Sequence, residues 1–358
     1  MKGLVLSGGH GTRLRPITHT SAKQLVPVAN KPILFYGIEA LRDAGITDIG
    51  IVVGETKDEI RAAVQQGEKF GVRITYIEQP EPLGLAHAAL TAEPYLKNSE
   101  FIMYLGDNLI KGGVRDFVEK FKRERPSAQI LLVKVPNPQQ FGVAELEHQN
   151  GVTRVVRLVE KPKDPKSDLA LAGVYLFNSD IFKAARSIDF SGRGELEITD
   201  AIQWLIDHRY QVYSDIIKGW WKDTGKLEDL LEANRMMCDD LEAKILGGVD
   251  ARSKIEFKVF IDEGAVIENS VIRGPSMVGK NSKVIDSYVG PFTSINDDCE
   301  IRGSEIEHSI ILQGSKIMNI RHRISDSLIG KNVEIAGNVR RTKYHQFMVG
   351  DSSRIELT

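Results

Sequence analysis

The stretch FIDEGAVIENSVIRGPSMVGKNSKVIDSYVGPFTSINDDCEIR, Phe260 to Arg302, carries an aliphatic or aromatic residue at every sixth position through Phe260, Val266, Ile272, Val278 and Val284. After one shorter interval the step resumes at Val289, Ile295 and Ile301, with Gly, Ser, Asn and Asp filling the corners. An exposed antiparallel sheet would instead alternate every two residues. A sixfold step with small polar corners is what a stacked β-solenoid requires, because each short strand presents residues to one shared interior. The tail therefore reads as a left-handed β-helix of imperfect hexapeptide repeats over residues 250–358.

Upstream of it, Leu227 to Ile245 carries Leu230, Leu231, Met237, Leu241 and Ile245, the spacing of a helix that joins two halves. Before that helix, from Met1 to about Met237, short apolar runs bounded by Gly, Pro or Asp alternate with amphipathic stretches. Gly3 to Leu6, Asp48 to Val53, Phe101 to Leu105 and Gln129 to Val135 are of the strand type. Lys31 to Ala44 and Lys57 to Phe70 have helical spacing, through Ile33, Ile38 and Leu41 in the first and Ile60 and Val64 in the second. This is the pattern of a Rossmann-like α/β/α domain on a mainly parallel sheet, expected over residues 1–240.

The whole chain agrees with two cores. It has 358 residues, 42% hydrophobic and 27% charged, enough for two domains of different architecture. Lys plus Arg is 47 against 49 for Asp plus Glu, so no polyanion such as nucleic acid is expected as a partner. Any phosphate ligand must be held by a few placed groups. Cys238 and Cys299 are the two cysteines, with no short spacing that suggests a metal cage or redox pair. The N-terminal apolar run is too short for a secretory signal or a membrane span, so a cytoplasmic protein is expected.

The strand Leu4-Val5-Leu6 runs into Ser7-Gly8-Gly9-His10-Gly11-Thr12-Arg13-Leu14-Arg15-Pro16. Three glycines let a backbone approach a ligand and turn successive N–H groups toward it, which makes a phosphate cradle. It is neither the Walker spacing, since no Gly-Lys-Ser/Thr closes it, nor the dinucleotide fingerprint, since the glycines stop at Gly11. The run continues through Lys23-Gln24-Leu25-Val26-Pro27-Val28 to Asn30-Lys31-Pro32, adding cations within reach of a triphosphate. Arg13 suits a bidentate grip on phosphate oxygens, and Lys23 is a compact charge suited to the α-phosphate.

From Gly8 to Pro16, with Lys23 and Pro27 following, the sequence resembles the signature of the sugar-1-phosphate nucleotidyltransferases. The likeness is greatest to the long-form members that act on dTTP and glucose 1-phosphate and carry a β-helical tail. It implies an enzyme that moves a deoxythymidylyl group, with Gly8, Gly9, Gly11, Thr12 and Arg13 at the nucleotide.

Two acidic positions extend the reading. Asp107 follows Tyr104-Leu105-Gly106 at the carboxyl end of a buried strand, where open α/β sheets place ligands and a hard cation can find oxygen. Asp223 lies in Trp220-Trp221-Lys222-Asp223-Thr224-Gly225. Together they resemble the family's pair of Mg2+ ligands. Glu160-Lys161-Pro162 sets a carboxylate for sugar hydroxyls beside an ammonium for the sugar phosphate. The resemblance implies that these contact the hexose phosphate, aided by Asn108, Gly142 and Leu171. Gly142, lacking a side chain, leaves room for a pyranose ring.

Gln79, in Gln79-Pro80-Glu81-Pro82-Leu83-Gly84-Leu85-Ala86-His87-Ala88, has an amide able to donate to and accept from a pyrimidine edge. The resemblance assigns Gln79 and Gly84 to thymine recognition. His87, at helix-start spacing, is expected to be structural, and Gly194 to Asp200 a helix-opening support for the sugar pocket.

An ionised sugar 1-phosphate needs no general base, so the protein's task is alignment and charge stabilisation. The expected reaction is in-line attack on the α-phosphorus. Arg13 would hold the leaving pyrophosphate, with Lys23 and Lys161 neutralising the centre. Three alternatives follow from the same residues. A uridylyl- or adenylyltransferase would use a different base on a related sugar 1-phosphate, and Phe141 stands where short-form members often have a tyrosine, which removes a hydroxyl near the sugar. A non-catalytic subunit would have little reason to keep these carboxylates and cations. An acyltransferase tail would need His308 or His322, neither in a recognisable acyl-acceptor context. The tail is instead expected to form a homo-oligomer.

Overall fold

The computed structural model describes all residues except 10, 20, 150–151, 338–348, 350–352, 354 and 356–358. His10 of the glycine-rich loop and most of the last twenty residues of the expected β-helix therefore lie outside the described residues. The chain divides into two compact units, one of Met1–His10, Ser21–Leu25 and Ile33–Asp223, the other of Gly11–Thr20, Val26–Pro32 and Thr224–Thr358.

In the first unit, β1 (Lys2–Ser7), β2 (Asp48–Val53) and β4 (Phe101–Leu105) are near-continuous apolar runs and pair in parallel with the more polar edge strand β3 (Arg73–Glu78), in the order β4-β1-β2-β3. Such runs belong to strands covered on both faces. Alternate residues of one strand enter different cores: Leu4 and Leu6 pack in one cluster, Val5 in the other. Helices α1 (Ile33–Asp43), α2 (Lys57–Val64) and α4 (Arg115–Glu124) feed the Val5 side. Helices α3 (Leu85–Leu96), α5 (Asp180–Arg186) and α6 (Ile198–Asp207) feed the other. The result is the expected three-layer α/β/α arrangement.

The sheet is mixed beyond these strands. A short β5 (Asn108–Ile110) is followed by β6 (Ala128–Lys134), an antiparallel pair β7 (Gly142–Gln149) and β8 (Val152–Glu160), and β9 (Leu169–Phe177), which runs antiparallel to β4. Strand β10 (Val212–Ile216) pairs with β6, and β11 (Trp221–Asp223) with β5. Two helices end earlier than the spacing predicts. Residues 57–70 form α2 only to Val64, because Gln65 and Gly67 take positive φ and Phe70 turns in to meet Phe35 at 4.9 Å.

In the second unit, α7 (Leu227–Asp239) stops before Ile245, and Lys244–Ile245 is instead a strand paired with Phe260 and Ile261. Short parallel strands then stack in three sheets, as in a left-handed β-helix. Ile261 lies over Val278, Val278 over Ile295 and Val284 over Ile301. The inward series is Ile255, Ile261, Ile267, Ile272, Val278, Val284 and Val289, in steps of six, six and five. Phe260 and Val266 are thus one residue off the interior line; Ile261 and Ile267, fully buried, occupy it. The single slip visible in the sequence is a shorter corner that recurs in successive coils. Buried serines tie those coils together: the Ser270 hydroxyl accepts from Ser287 N, and that of Ser287 from Ser304 N, each seventeen residues on.

Candidate active site

Strands β1 and β4 pair Leu6 with Leu105, so the glycine turn after β1 and the Gly106-Asp107 turn after β4 leave the sheet side by side. Gly106 N donates to the Leu6 carbonyl at 2.9 Å, and a Cβ on Gly106 would stand 2.9 Å from that same oxygen, too close for a side chain. Lys23 crosses beneath this junction and donates to Asp107 Oδ2, with 15% and 14% of the two side chains exposed. A Cβ on Gly9 would lie 3.2 Å from Lys23 Cε, so the turn keeps glycine where the lysine passes. Burial alone would raise the Asp107 carboxyl, but the Lys23 charge and hydrogen bond and the Asn108 amide outweigh it and hold the group below its usual range.

Asn108 fixes Asp107 from the other side. Its Nδ2 donates to Asp107 Oδ1 at 3.0 Å, its Oδ1 accepts from Trp221 Nε1 at 2.7 Å, and its carbonyl accepts from the Tyr104 hydroxyl at 3.1 Å. Gly173 makes this possible: its φ is +59°, and a Cβ there would fall 2.5 Å from Asn108 Oδ1. In the antiparallel pair of β5 with β11, Asp223 lies directly opposite Asn108. Asp107 and Asp223 are therefore brought into one corner although 116 residues separate them.

A second cluster surrounds Glu160. The β7–β8 register sets Gly142 opposite Glu160, whose carboxylate accepts from Thr199 Oγ1 at 3.2 Å and faces Arg193 at 3.5 Å and Lys161 at 3.6 Å. A Cβ on Gly142 would meet Thr199 Cγ2 at 2.6 Å, Glu160 Oε2 at 3.1 Å and Leu171 Cδ1 at 3.4 Å. The side chain missing at Gly142 thus makes room for protein atoms rather than for a sugar ring. Burial raises the Glu160 carboxyl above its usual range, with the Glu197 charge adding to it and Lys161 and Arg193 opposing. Lys161 sits at φ +42°, a left-handed conformation uncommon outside glycine, and its N–H donates to the Phe141 carbonyl at 3.0 Å. The Phe141 ring meets Trp221 edge-on at 5.5 Å, which links the two clusters.

Gln79 follows β3, its side chain beside Gly8: a Cβ on Gly8 would be 3.5 Å from Gln79 Oε1. Gly84 has φ +104°, and a Cβ there would overlap the Leu196 carbonyl at 2.4 Å. Gly11, Thr12 and Arg13 belong to the second unit. There Gly11, at φ +64°, opens a single 3-10 turn in which Leu14 is buried and Thr12 and Arg13 are exposed. Thr18 Oγ1 closes the turn onto the Gly11 carbonyl at 2.7 Å.

Sequence reasoning gave no role to Trp221 or Gly173 and missed Arg193, which reaches both oxygens of the buried Glu197 at 2.8 Å. Gly173 had a signal, a glycine inside an otherwise apolar strand. Arg193, in an irregular segment before an acidic run, had none.

A family model described as nucleotidyl transferase matches residues 2–240. The chain belongs to this family. As a nucleotidyltransferase it is 54% identical over 358 residues to a glucose-1-phosphate thymidylyltransferase of Streptomyces antibioticus, covering 100% of this chain and 99% of that one. To the glucose-1-phosphate thymidylyltransferase of Streptomyces griseus it is 52% identical, over the whole of both chains. Among solved structures, UDP-glucose pyrophosphorylase complexed with UDP-glucose is similar at a TM-score of 0.60 and 27% identity, covering 67% of this nucleotidyltransferase and 98% of that chain. Enzymes of the family generally use a divalent metal. No helix among the described residues is long and apolar enough to cross a membrane.

Proposed function

We propose that this chain transfers the deoxythymidylyl group of dTTP to glucose 1-phosphate, releasing pyrophosphate, with Mg2+ held by Asp107 and Asp223. The observation that carries the proposal is the Asn108–Asp223 register, which brings Asp223 opposite the residue that follows Asp107, the partner of Lys23. The streptomycete relatives named for this activity, similar along the full chain, supply the choice of base and sugar.

The donor set suits a small divalent cation. Carboxylate oxygens are its preferred ligands, and Asp107 is kept ionised. Two carboxylates would leave the rest of the shell to waters and substrate phosphates, the arrangement Mg2+ prefers. When bound, the ion would neutralise phosphate charge as it shifts toward pyrophosphate.

The side chains account for the rest. Gly8 and Gly9 admit phosphates close to the backbone, and the family resemblance adds Gly11, Thr12 and Arg13 for the nucleotide, with Arg13 suited to the leaving pyrophosphate. Lys23 and Lys161 neutralise the centre. Glu160 takes sugar hydroxyls, and Gly142, Leu171 and Asn108 hold Glu160 and Asp107 in place. An ionised sugar phosphate attacks without a base, so cations and carboxylates suffice for the reaction. Residues 1–240 would form the catalytic domain and residues 250–358 a β-helix that assembles copies of the chain.

Pyrophosphate release with Mg2+, glucose 1-phosphate and each of dTTP, UTP, ATP, GTP and CTP tests the proposal. Release led by dTTP supports it; release led by another nucleotide overturns the base assignment; silence with all five overturns the reaction. Sizing the full chain against one ending at Gly248 tests assembly, and an unchanged subunit number would reject the tail's role.

A further inference from the structure

We propose that His87 is a positioning residue for base selection: it fixes the Gln79 amide so that the carbonyl oxygen, not the NH2 group, faces the nucleotide. The proposal rests on the assignment of Gln79 to the base.

Gln79 Nε2 lies 2.9 Å from His87 Nδ1 and 3.5 Å from the Gly84 carbonyl oxygen. A carbonyl only accepts, so the nitrogen end of the amide belongs on that side. His87 Nδ1 is then the acceptor, and the imidazole proton sits on Nε2; this tautomer is assigned from the network. The opposite end, Oε1, is turned toward Gly8 and the glycine loop.

The parts that hold this arrangement are well anchored. Gln79 N donates to the Val53 carbonyl at 2.9 Å, extending the strand ladder by one residue. His87 is the third residue of α3, whose start is pinned by Ala86 N donating to the Leu196 carbonyl at 3.1 Å. Gly84 packs its backbone against the same Leu196 carbonyl, so neither acceptor on Nε2 is free to drift.

The chemical consequence concerns the pyrimidine N3 edge. Thymine and uracil carry an N3–H, which an amide oxygen satisfies. Cytosine presents a lone pair at N3, which would face the lone pairs of Oε1. An amide free to turn over would serve either base, because its NH2 end could meet cytosine. Tethering Nε2 to His87 removes that option, and a site with a committed polar group rejects a mismatched base more strongly than one shaped only by contact. Thymine and uracil are not separated by this device, since both keep the N3–H.

The test compares wild type, His87→Ala, His87→Asn and Gln79→Leu, measuring kcat and KM for dTTP and the inhibition constant of dCTP against dTTP. In His87→Ala the preference for dTTP over dCTP falls about tenfold or more, and the loss for dTTP appears in KM rather than in kcat. His87→Asn, which can again offer an acceptor to Nε2, recovers most of the preference. A merely structural role would lower kcat and melting temperature and raise KM without moving the base ratio, and that result overturns the proposal. If Gln79→Leu leaves the dTTP and dCTP constants unchanged, the assignment of Gln79 to the base has failed and the proposal falls with it. If Gln79→Leu shifts them while His87→Ala does not, the assignment stands and only the role of His87 is rejected. Should His87→Ala not fold, His87→Gln and His87→Leu make the same comparison, with and without a polar atom.

Discussion

Trp221 Nε1 donates to Asn108 Oδ1 at 2.7 Å, and the same Asn108 donates to Asp107 at 3.0 Å. An indole on β11 therefore orients a carboxylate on the turn after β4, and the strand that carries the indole also carries Asp223.

Trp221→Phe should keep the edge contact with Phe141 but leave the buried side-chain oxygen Oδ1 of Asn108 short of a donor. A stability loss of about 1–3 kcal/mol is expected. The half-saturating Mg2+ concentration should rise as well. Denaturant melts and a Mg2+ titration of pyrophosphate release check both; a variant with wild-type metal dependence would show that Asp107 needs no help from the indole.

Asp107→Asn and Asp223→Asn should each lower kcat by about a hundredfold or more, since each removes charge stabilisation aimed at the phosphates. Asp107→Asn also strips Lys23 of its partner. Turnover near that of wild type in either variant would take that residue out of the mechanism.

Gly142→Ala should be impaired because its Cβ would stand 2.6 Å from Thr199 Cγ2. Overpacking of this kind costs about 1–3 kcal/mol. Thr199→Ser deletes the obstructing methyl and keeps the hydroxyl on Glu160, so the double variant should recover most of the lost stability and the sugar-phosphate KM. Equal damage in the single and double variants would refute the steric account.

Glu160 has a carboxyl raised by burial, so the folded state holds its proton more tightly than the unfolded one. Its contribution is fully present below the ordinary value of 4.5 and is lost as pH rises through the higher folded value. Glu160→Gln, which cannot ionise, should therefore compare increasingly well with wild type as pH is raised from 4 to 7. Melting temperatures across that range test the sign, and a gap that widens against the variant would contradict it.

Cys238 and Cys299 are buried, and burial pushes both thiols up to about 11. Neither should react with a thiol reagent at pH 8 until the chain unfolds, and titration of two thiols only in denaturant is the expected result.

The architecture was legible because its signals are local. The apolar run of β1 and the sixfold step of the tail follow from which faces must be buried. The inward line of the β-helix was not legible at Val259-Phe260-Ile261, where three apolar residues adjoin and only the pairing of Ile261 with Val278 decides which points inside. The signature gave Lys23 and Asp107 separately, but their contact joins positions 84 residues apart in sequence and is created by neighbouring parallel strands. Trp221 acts through such a distant pairing, with Asn108, and Arg193 joins its neighbour Glu197 to the distant Glu160. Gly142 was legible as a position that tolerates no side chain, though not for the right reason, since the occupants are Thr199 and Glu160.

Serine hydroxyls of the β-helix accept from backbone N–H groups sixteen to eighteen positions later, seventeen in the first coils, so coils are threaded to one another by position as well as by packing. Such a tail is quantised in length. Within a strand, loss or gain of one residue would move a serine off its partner and turn the aliphatic line out of the interior, whereas a corner absorbs one, as the sixteen- and eighteen-residue intervals after Ser304 and Ser309 show. Loss or gain of a whole coil would leave both in register. Diversity in this part of the molecule is therefore open to duplication and deletion by turns and to single residues at corners, and closed to insertions within the strands.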